Sequence, residues 1–239
     1  MKKYLSISLS VMMLSLTACS QAGAADMDRK QVETIVKEYL LENPEILREA
    51  MFALEAKEEK AALTAARTQI YNDSRDPRVG SETAKVTIVE FFDYNCGYCK
   101  KSTEWLAGVI ERHPNDVQVI FKELPILDGR SKTSKNASRA ALAAAKQGKY
   151  WDMHVALMNA RGLTQDKIEK IAKDNGVDVE QMNKDMNDPA INLHIEENMM
   201  VATQLPMFSG TPFFMIGDDY IAGANENALQ AMLDKELNG

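Results

Sequence analysis

Cys96 and Cys99 stand three residues apart in the stretch Phe91-Phe92-Asp93-Tyr94-Asn95-Cys96-Gly97-Tyr98-Cys99. On a helix that spacing puts both thiols on one face, one turn apart. If Cys96 opens the helix, the free backbone N–H groups and the partial positive charge there favour its thiolate, the form that attacks a disulfide. Cys99, deeper in the helix, stays protonated longer and then attacks the mixed disulfide formed at Cys96. The pair predicts thiol-disulfide exchange, with Cys96 attacking and Cys99 resolving. Zinc normally takes four ligands, whereas the chain holds one C-x-x-C and three widely separated histidines, His113, His154 and His194; no metal and no other cofactor is expected. A purely structural disulfide is the remaining alternative, although so short a loop constrains the unfolded chain little.

Such a pair needs a strand to deliver it and a helix that begins at it. Val86 to Phe92 is an apolar run, rich in β-branched and aromatic residues and broken by Glu90, whose length suits a buried strand. A helix follows through Trp105, Leu106, Val109 and Ile110 and ends at His113-Pro114. Val117 to Phe121 is a second strand, completing a βαβ unit. From about Ser131 to Leu205 the chain reads as helical, with an Ala-rich run at Ala137 to Ala145, breaks at Gly148, Gly162 and Gly176, and Asp188-Pro189 as an N-cap and first-turn pair. Phe213 to Ile216, the turn Gly217-Asp218-Asp219 and Tyr220 to Ala222 predict a hairpin, and a last helix carries Leu229, Met232, Leu233 and Leu237. Trp105 and Trp151 read as core residues.

Ahead of this unit, Val32, Ile35, Val36, Tyr39 and Leu40 recur at helical spacing, Asn43-Pro44 interrupts, and a second helical run carries Ile46, Leu47, Met51, Leu54, Leu63 and Ile70. Neither helix buries its stripe alone. Of the two ways to cover it, packing onto the following domain or pairing with a second copy, we adopt the second. Asp73 to Ser81, polar with Pro77 and Gly80, reads as a linker.

The whole chain has 239 residues, 45% of them hydrophobic, which suits a globular body. Lys2 and Lys3 precede a short apolar run from Leu5 to Leu16, the pattern of a secretory signal. Leu16-Thr17-Ala18-Cys19 resembles the bacterial lipobox, which implies acylation of Cys19 and a lipid anchor; Ser20 resembles the residue that sorts such lipoproteins to the outer membrane. An ordinary cut between Ala22 and Ala25 is the alternative. Removing residues 1–18 takes away two lysines and no acid, so the formal charge of -7 becomes -9, and no nucleic-acid partner is expected. The expected divisions are 1–18 signal peptide, 19–75 linker and helical oligomerisation arm, 76–128 first part of the catalytic domain, 129–204 inserted helical subdomain and 205–239 second part.

With these elements in place, the cysteine motif resembles the DsbA family of bacterial thiol-disulfide oxidoreductases over about Pro77 to Leu237. The resemblance implies an α/β, thioredoxin-like fold with an inserted all-helical subdomain. It also implies a cis-proline facing the cysteines, matched by position at Gly210-Thr211-Pro212, where Pro212 would leave the Thr211 backbone free to pair with an extended client. Glu90 matches the buried acid that thioredoxin-fold enzymes place under the pair, able to accept the Cys99 proton, with Lys122 on the neighbouring strand as its expected partner. Solvent at a sheet edge is the other place Glu90 could reach.

The chain departs from the archetypal oxidase, which has Pro-His between its cysteines and Val before the cis-proline. Gly97, Tyr98 and Thr211 resemble instead the DsbC-type isomerases, which work as dimers built by an N-terminal segment. The implied activity is isomerase, or isomerase and oxidase together, with clients touched by Gly97, Tyr98 and Thr211. Implied partners are reduced or disulfide-containing exported proteins, a membrane redox partner that resets the pair, and further copies of the chain through residues 26–72. The competing class is a lipid-anchored binding protein or holdase with an incidental cysteine pair.

Overall fold

The computed structural model describes residues 28–239, so the signal region and Cys19 lie outside the described residues. Its first helix, α1, runs Arg29–Glu42 and starts with a reciprocal capping box between Asp28 and Gln31. The second, α2, spans Glu45–Tyr71. The chain divides into two compact units within α2, the first ending at Phe52 and the second running Ala53–Gly239. In the first unit α1 buries none of its residues, and Val32, Ile35, Val36, Tyr39, Leu41, Leu47, Met51 and Phe52 are exposed. No helix among the described residues is long and apolar enough to cross a membrane.

The second unit is built on a five-stranded mixed sheet in the order β1-β3-β2-β4-β5. Strand β2 (Val86–Phe92) pairs in parallel with β3 (Val117–Glu123), and helix α3 (Gly97–Arg112) connects them. Strand β4 (Phe213–Ile216) runs antiparallel to β2, and β5 (Asp219–Ala222) antiparallel to β4. The other edge is β1 (Arg78–Gly80), antiparallel to β3. This strand lies inside the segment read as linker. Three residues are too few for a pattern to be read from the sequence, and the strand is held by pairing to Gln118, Val119 and Ile120.

Between β3 and β4 come six helices: α4 (Asp128–Ser131), α5 (Ser134–Ala145), α6 (Tyr150–Asn159), α7 (Gln165–Asp174), α8 (Val179–Asp185) and α9 (Pro189–Thr203). Asp188 caps α9 with Pro189 in its first turn. The last helix is α10 (Glu226–Asn238).

The two sheet faces explain why β2 and β3 read as continuous apolar runs, since both faces are covered. On one face Ile88, Phe92, Val119, Phe121 and Phe214 join Leu106 and Val109 of α3, the alanines of α5, and Leu229 and Leu233 of α10. On the other, Val89, Phe91, Ile120, Phe213 and Met215 meet Ala66 and Ile70 of α2 and Val201 and Ala202 of α9. The C-terminal part of α2 thus belongs to the core of the body. Full burial of each Val, Leu, Ile, Phe or Met side chain among these contributes about 1.5–3 kcal/mol.

Candidate active site

The β2 strand ends at Phe92, and a three-residue turn carries the chain to the start of α3. Asp93 organises this turn from a buried position. Its Oδ1 accepts the Asn95 backbone N–H at 2.7 Å and the Ser134 hydroxyl at 2.8 Å, and its Oδ2 accepts the Leu127 N–H at 2.9 Å. Asn95 Nδ2 reaches the hydroxyls of Ser131, Thr133 and Ser134. The loop before the cysteines is thereby tied to the beginning of the inserted subdomain.

Cys96 is the N-cap of α3, with extended backbone, and its sulfur accepts the backbone N–H of Cys99 at 3.4 Å. Both cysteines are free thiols; Cys96 is 7% exposed and Cys99 fully buried. A hydrogen bond from the Cys99 thiol, opposed by burial and assisted by the Cys99 backbone N–H and the Thr211 side chain, lowers Cys96 to about 6. Burial first, then that same hydrogen bond and the charges of Glu90 and Cys96, push Cys99 far above the ordinary thiol range. One sulfur is a ready thiolate while its neighbour holds its proton.

The two residues between them face outward. Gly97 is exposed, with open space where a Cβ would stand, and Tyr98 is 70% exposed. Packing therefore does not dictate either, and both lie on the surface beside Cys96. Across from Cys96 is the Thr211–Pro212 bond, which is cis. In its protonated form the Cys96 thiol donates to the Thr211 carbonyl at 3.2 Å, while the Pro212 carbonyl accepts the Gly223 N–H at 2.8 Å. Gly210, at φ 144°, gives the chain its approach to this bond.

Glu90 lies fully buried on the α3 side of the sheet, where Ser102 donates to it at 3.0 Å and Oε2 has no partner among the described residues. Burial, with smaller additions from the charges of Cys96 and Glu123, pushes it up to about 8. It does not reach solvent, and Lys122 is not its partner. In the parallel register Glu90 stands opposite Phe121, so Lys122, one residue on, points to the other face. There it pairs with Asp76 and donates to the Gln69 carbonyl.

Sequence reasoning missed Ser102, Asp93, Tyr94, Glu123 and Lys100. Glu123 carried no such signal as Glu90 did, since it closes its strand directly after Lys122 and reads as part of a charged strand end. Lys100 directly follows the pair, and its Nζ donates to the carbonyls of Leu157, Met158 and Ala160 at the end of α6, at 3.3, 3.1 and 2.8 Å. Among the described residues the one grouping of metal-ligand type is Asp73, His194 and Glu197. The Arg75 guanidinium bridges its two carboxylates at 2.5 Å each and so fills the cation's place.

Comparison with known proteins agrees with this geometry. The family model described as DSBA-like thioredoxin domain matches residues 87–235, and one described as Copper resistance protein ScsC N-terminal domain matches residues 28–61. A linker-deletion mutant of Proteus mirabilis ScsC is 32% identical and covers 90% of this chain and 99% of its own, with a TM-score of 0.71. A thioredoxin-like oxidoreductase from Silicibacter pomeroyi is 38% identical over 72% of this chain and 98% of its own, at 0.66. The thiol-disulfide exchange protein alpha-DsbA2 from Wolbachia pipientis is 31% identical over 75% and 97%, at 0.67. Curated relatives include a Na(+)/H(+) antiporter NhaA from Herminiimonas arsenicoxydans, 25% identical over 69% of this chain. The chain spans about a quarter of the length of that relative, 27%. Since the first model matches well over half of the sequence, the chain belongs to the DSBA-like thioredoxin domain family, whose members are thiol-disulfide oxidoreductases.

Proposed function

We propose that this chain is an exported thiol-disulfide oxidoreductase that forms and rearranges disulfide bonds in periplasmic or surface proteins, with rearrangement as its larger activity. The observation that carries the reading is the asymmetry of the pair, Cys96 drawn down to about 6 beside a Cys99 held protonated. The Cys96 thiolate attacks a client disulfide, forming a mixed disulfide and releasing one client thiolate. If another client thiolate attacks the client sulfur of that bond, a new client disulfide forms and Cys96 leaves as thiolate, with no net redox change. If Cys99 attacks Cys96 first, the Cys96–Cys99 disulfide forms, the second client thiolate leaves, and the client is reduced by two electrons. Oxidation of a reduced client is the reverse, after which a membrane redox partner takes the two electrons from the pair.

Glu90 accepts the Cys99 proton in the resolving step, and the Thr211 backbone and Tyr98 hold the client chain beside Cys96. Lacking a His between the cysteines, the pair is a milder oxidant than the archetypal oxidase, which suits rearrangement. The exposed apolar residues of α1 and the first part of α2 support pairing with further copies, so that several active sites face one client. Residues 1–18 and Cys19 give the export signal and outer-membrane anchor.

The same exposed residues favour a second reading, a lipid-anchored oligomeric holdase. Replacing Cys96 by Ser separates the two. Loss of activity on both a reduced and a scrambled-disulfide client is the expected result; undiminished activity on both would sink the enzymatic reading.

A further inference from the structure

Glu123 stands opposite Phe92 in the β2–β3 register, as Glu90 stands opposite Phe121. Both carboxyls therefore point to the α3 face, on neighbouring strands and two positions apart. Glu123 is built into the loop that carries the cysteines. Its Oε1 accepts the phenol hydrogens of Tyr94, two residues before Cys96, and of Tyr150, the first residue of α6, both at 3.0 Å. Tyr94 oxygen also lies 3.2 Å from His154 Nδ1. With the Tyr94 hydrogen given to Glu123, His154 donates to that oxygen.

The surroundings are closed off from the surface. The His154 ring is packed against Phe92, Phe121 and Trp151 at 4.9, 4.6 and 5.6 Å, and Glu123, Tyr94 and His154 are all fully buried. Facing the two carboxyls are Asp93 and Tyr94 from the β2 side, Cys96, Cys99 and Ser102 from α3, Ser138 from α5, and Tyr150 and His154 from α6. None is a cation, since burial holds His154 down at about 3 and so neutral. Burial pushes Glu123 up to about 8, as it does Glu90, and the charge of Glu123 adds to the rise at Glu90. In such a site two like charges disfavour one another and the pair titrates jointly.

We propose that Glu123 is a positioning residue for the redox pair: held by Tyr94 and Tyr150 on the Glu90 side of the sheet, it sets how readily Glu90 takes the Cys99 proton. This rests on the reading of Cys96 as attacking thiol and Cys99 as resolving thiol. In the step concerned, Cys99 gives its proton to the Glu90 carboxylate and its sulfur bonds to Cys96. The bond from Cys96 to the client sulfur breaks, and the client leaves as thiolate with the bonding pair.

The test mixes the reduced full chain with 5,5'-dithiobis(2-nitrobenzoate) in a stopped-flow instrument. The aromatic thiolate is released once on attack by Cys96 and again when Cys99 resolves the mixed disulfide. The second phase is expected to quicken with pH about a midpoint near Glu90's value of about 8. Glu123→Gln, which keeps the acceptor oxygen and loses the charge, should lower that midpoint by roughly half a pH unit or more and speed the phase about threefold at neutral pH. Glu90→Gln should erase the inflection, and Glu123→Gln added to it should shift nothing further. Tyr150→Phe, a milder change that guards against a folding defect, should move the midpoint the same way by less. A Glu123→Gln or Tyr150→Phe protein with lowered melting temperature but an unmoved midpoint overturns the proposal. Absence of a second phase, or its persistence in Cys99→Ala, would instead count against the underlying assignment of the cysteines.

Discussion

At the residue scale, the reactivity of Cys96 depends chiefly on its neighbour. Its titration, read as thiolate absorbance or as alkylation rate against pH, should have a midpoint at about 6. Because the Cys99 thiol is the largest cause of that low value, Cys99→Ala should raise the midpoint, while the helix start and its N–H groups keep it below that of an ordinary thiol. A midpoint unmoved by Cys99→Ala would assign the effect to the helix alone. Glu90 has the opposite consequence for stability. Its folded-state value, pushed up to about 8 by burial, lies above the ordinary 4.5 of the unfolded chain. Between these values the unfolded state gives up its proton first, so stability declines as pH rises through that window. Glu90→Gln should therefore match the parent near pH 4 and exceed it near pH 9, by on the order of 1–4 kcal/mol in denaturant titrations. An equal effect at both ends of the range would mean that the carboxyl's ionisation is not what differs.

At the scale of elements, the active-site helix is fastened to the inserted subdomain at points flanking the cysteines: Asp93 and Asn95 before them, Lys100 after. Lys100 Nζ gives its hydrogens to three carbonyls at the end of α6, where a cation also suits the helix dipole. Lys100→Met keeps the apolar stem and removes the donors, and it should cost about 1–3 kcal/mol. Faster amide exchange in the last turn of α6 should accompany the loss; unchanged exchange there would argue that water replaces the ammonium group. These fastenings explain what was legible beforehand. Strands β2, β3 and β4 and helix α3 could be read because their burial is continuous along the chain and their ends carry turn or cap residues. The Thr211-Pro212 site was reachable only through resemblance, since nothing local marks a proline as facing a cysteine more than a hundred residues earlier. Three further features lay beyond the sequence. Edge strand β1 is held by its partner β3 rather than by its own pattern. Lys122 needed the register to show which face it takes. Asp93 draws Ser134 and the Leu127 N–H from a segment that no local rule brings near.

At the scale of the whole molecule, the exposed large apolar residues up to Phe52 are the feature that a monomer leaves unexplained, because apolar side chains gathered on a surface mark contact sites. Leu41 is 71% exposed and Phe52 62%. On a free helix surface, changing both to Lys should alter stability by no more than about 0.5 kcal/mol each, since Lys is a good helix former. If a second copy covers them, each change forfeits about 1.5–3 kcal/mol of burial and places a charge in the interface, so association should weaken by about a hundredfold or more. Sedimentation equilibrium on the doubly substituted chain reads this directly. Assays on the same preparation then link assembly to activity. Rearrangement of a scrambled client, which benefits from several active sites held around one substrate, should fall with the loss of assembly. Oxidation of a reduced client, which needs one Cys96–Cys99 disulfide at a time, should persist. A substituted chain that still assembles would remove these residues from the interface; one that is monomeric yet rearranges disulfides at the parent rate would sever the oligomer from the chemistry.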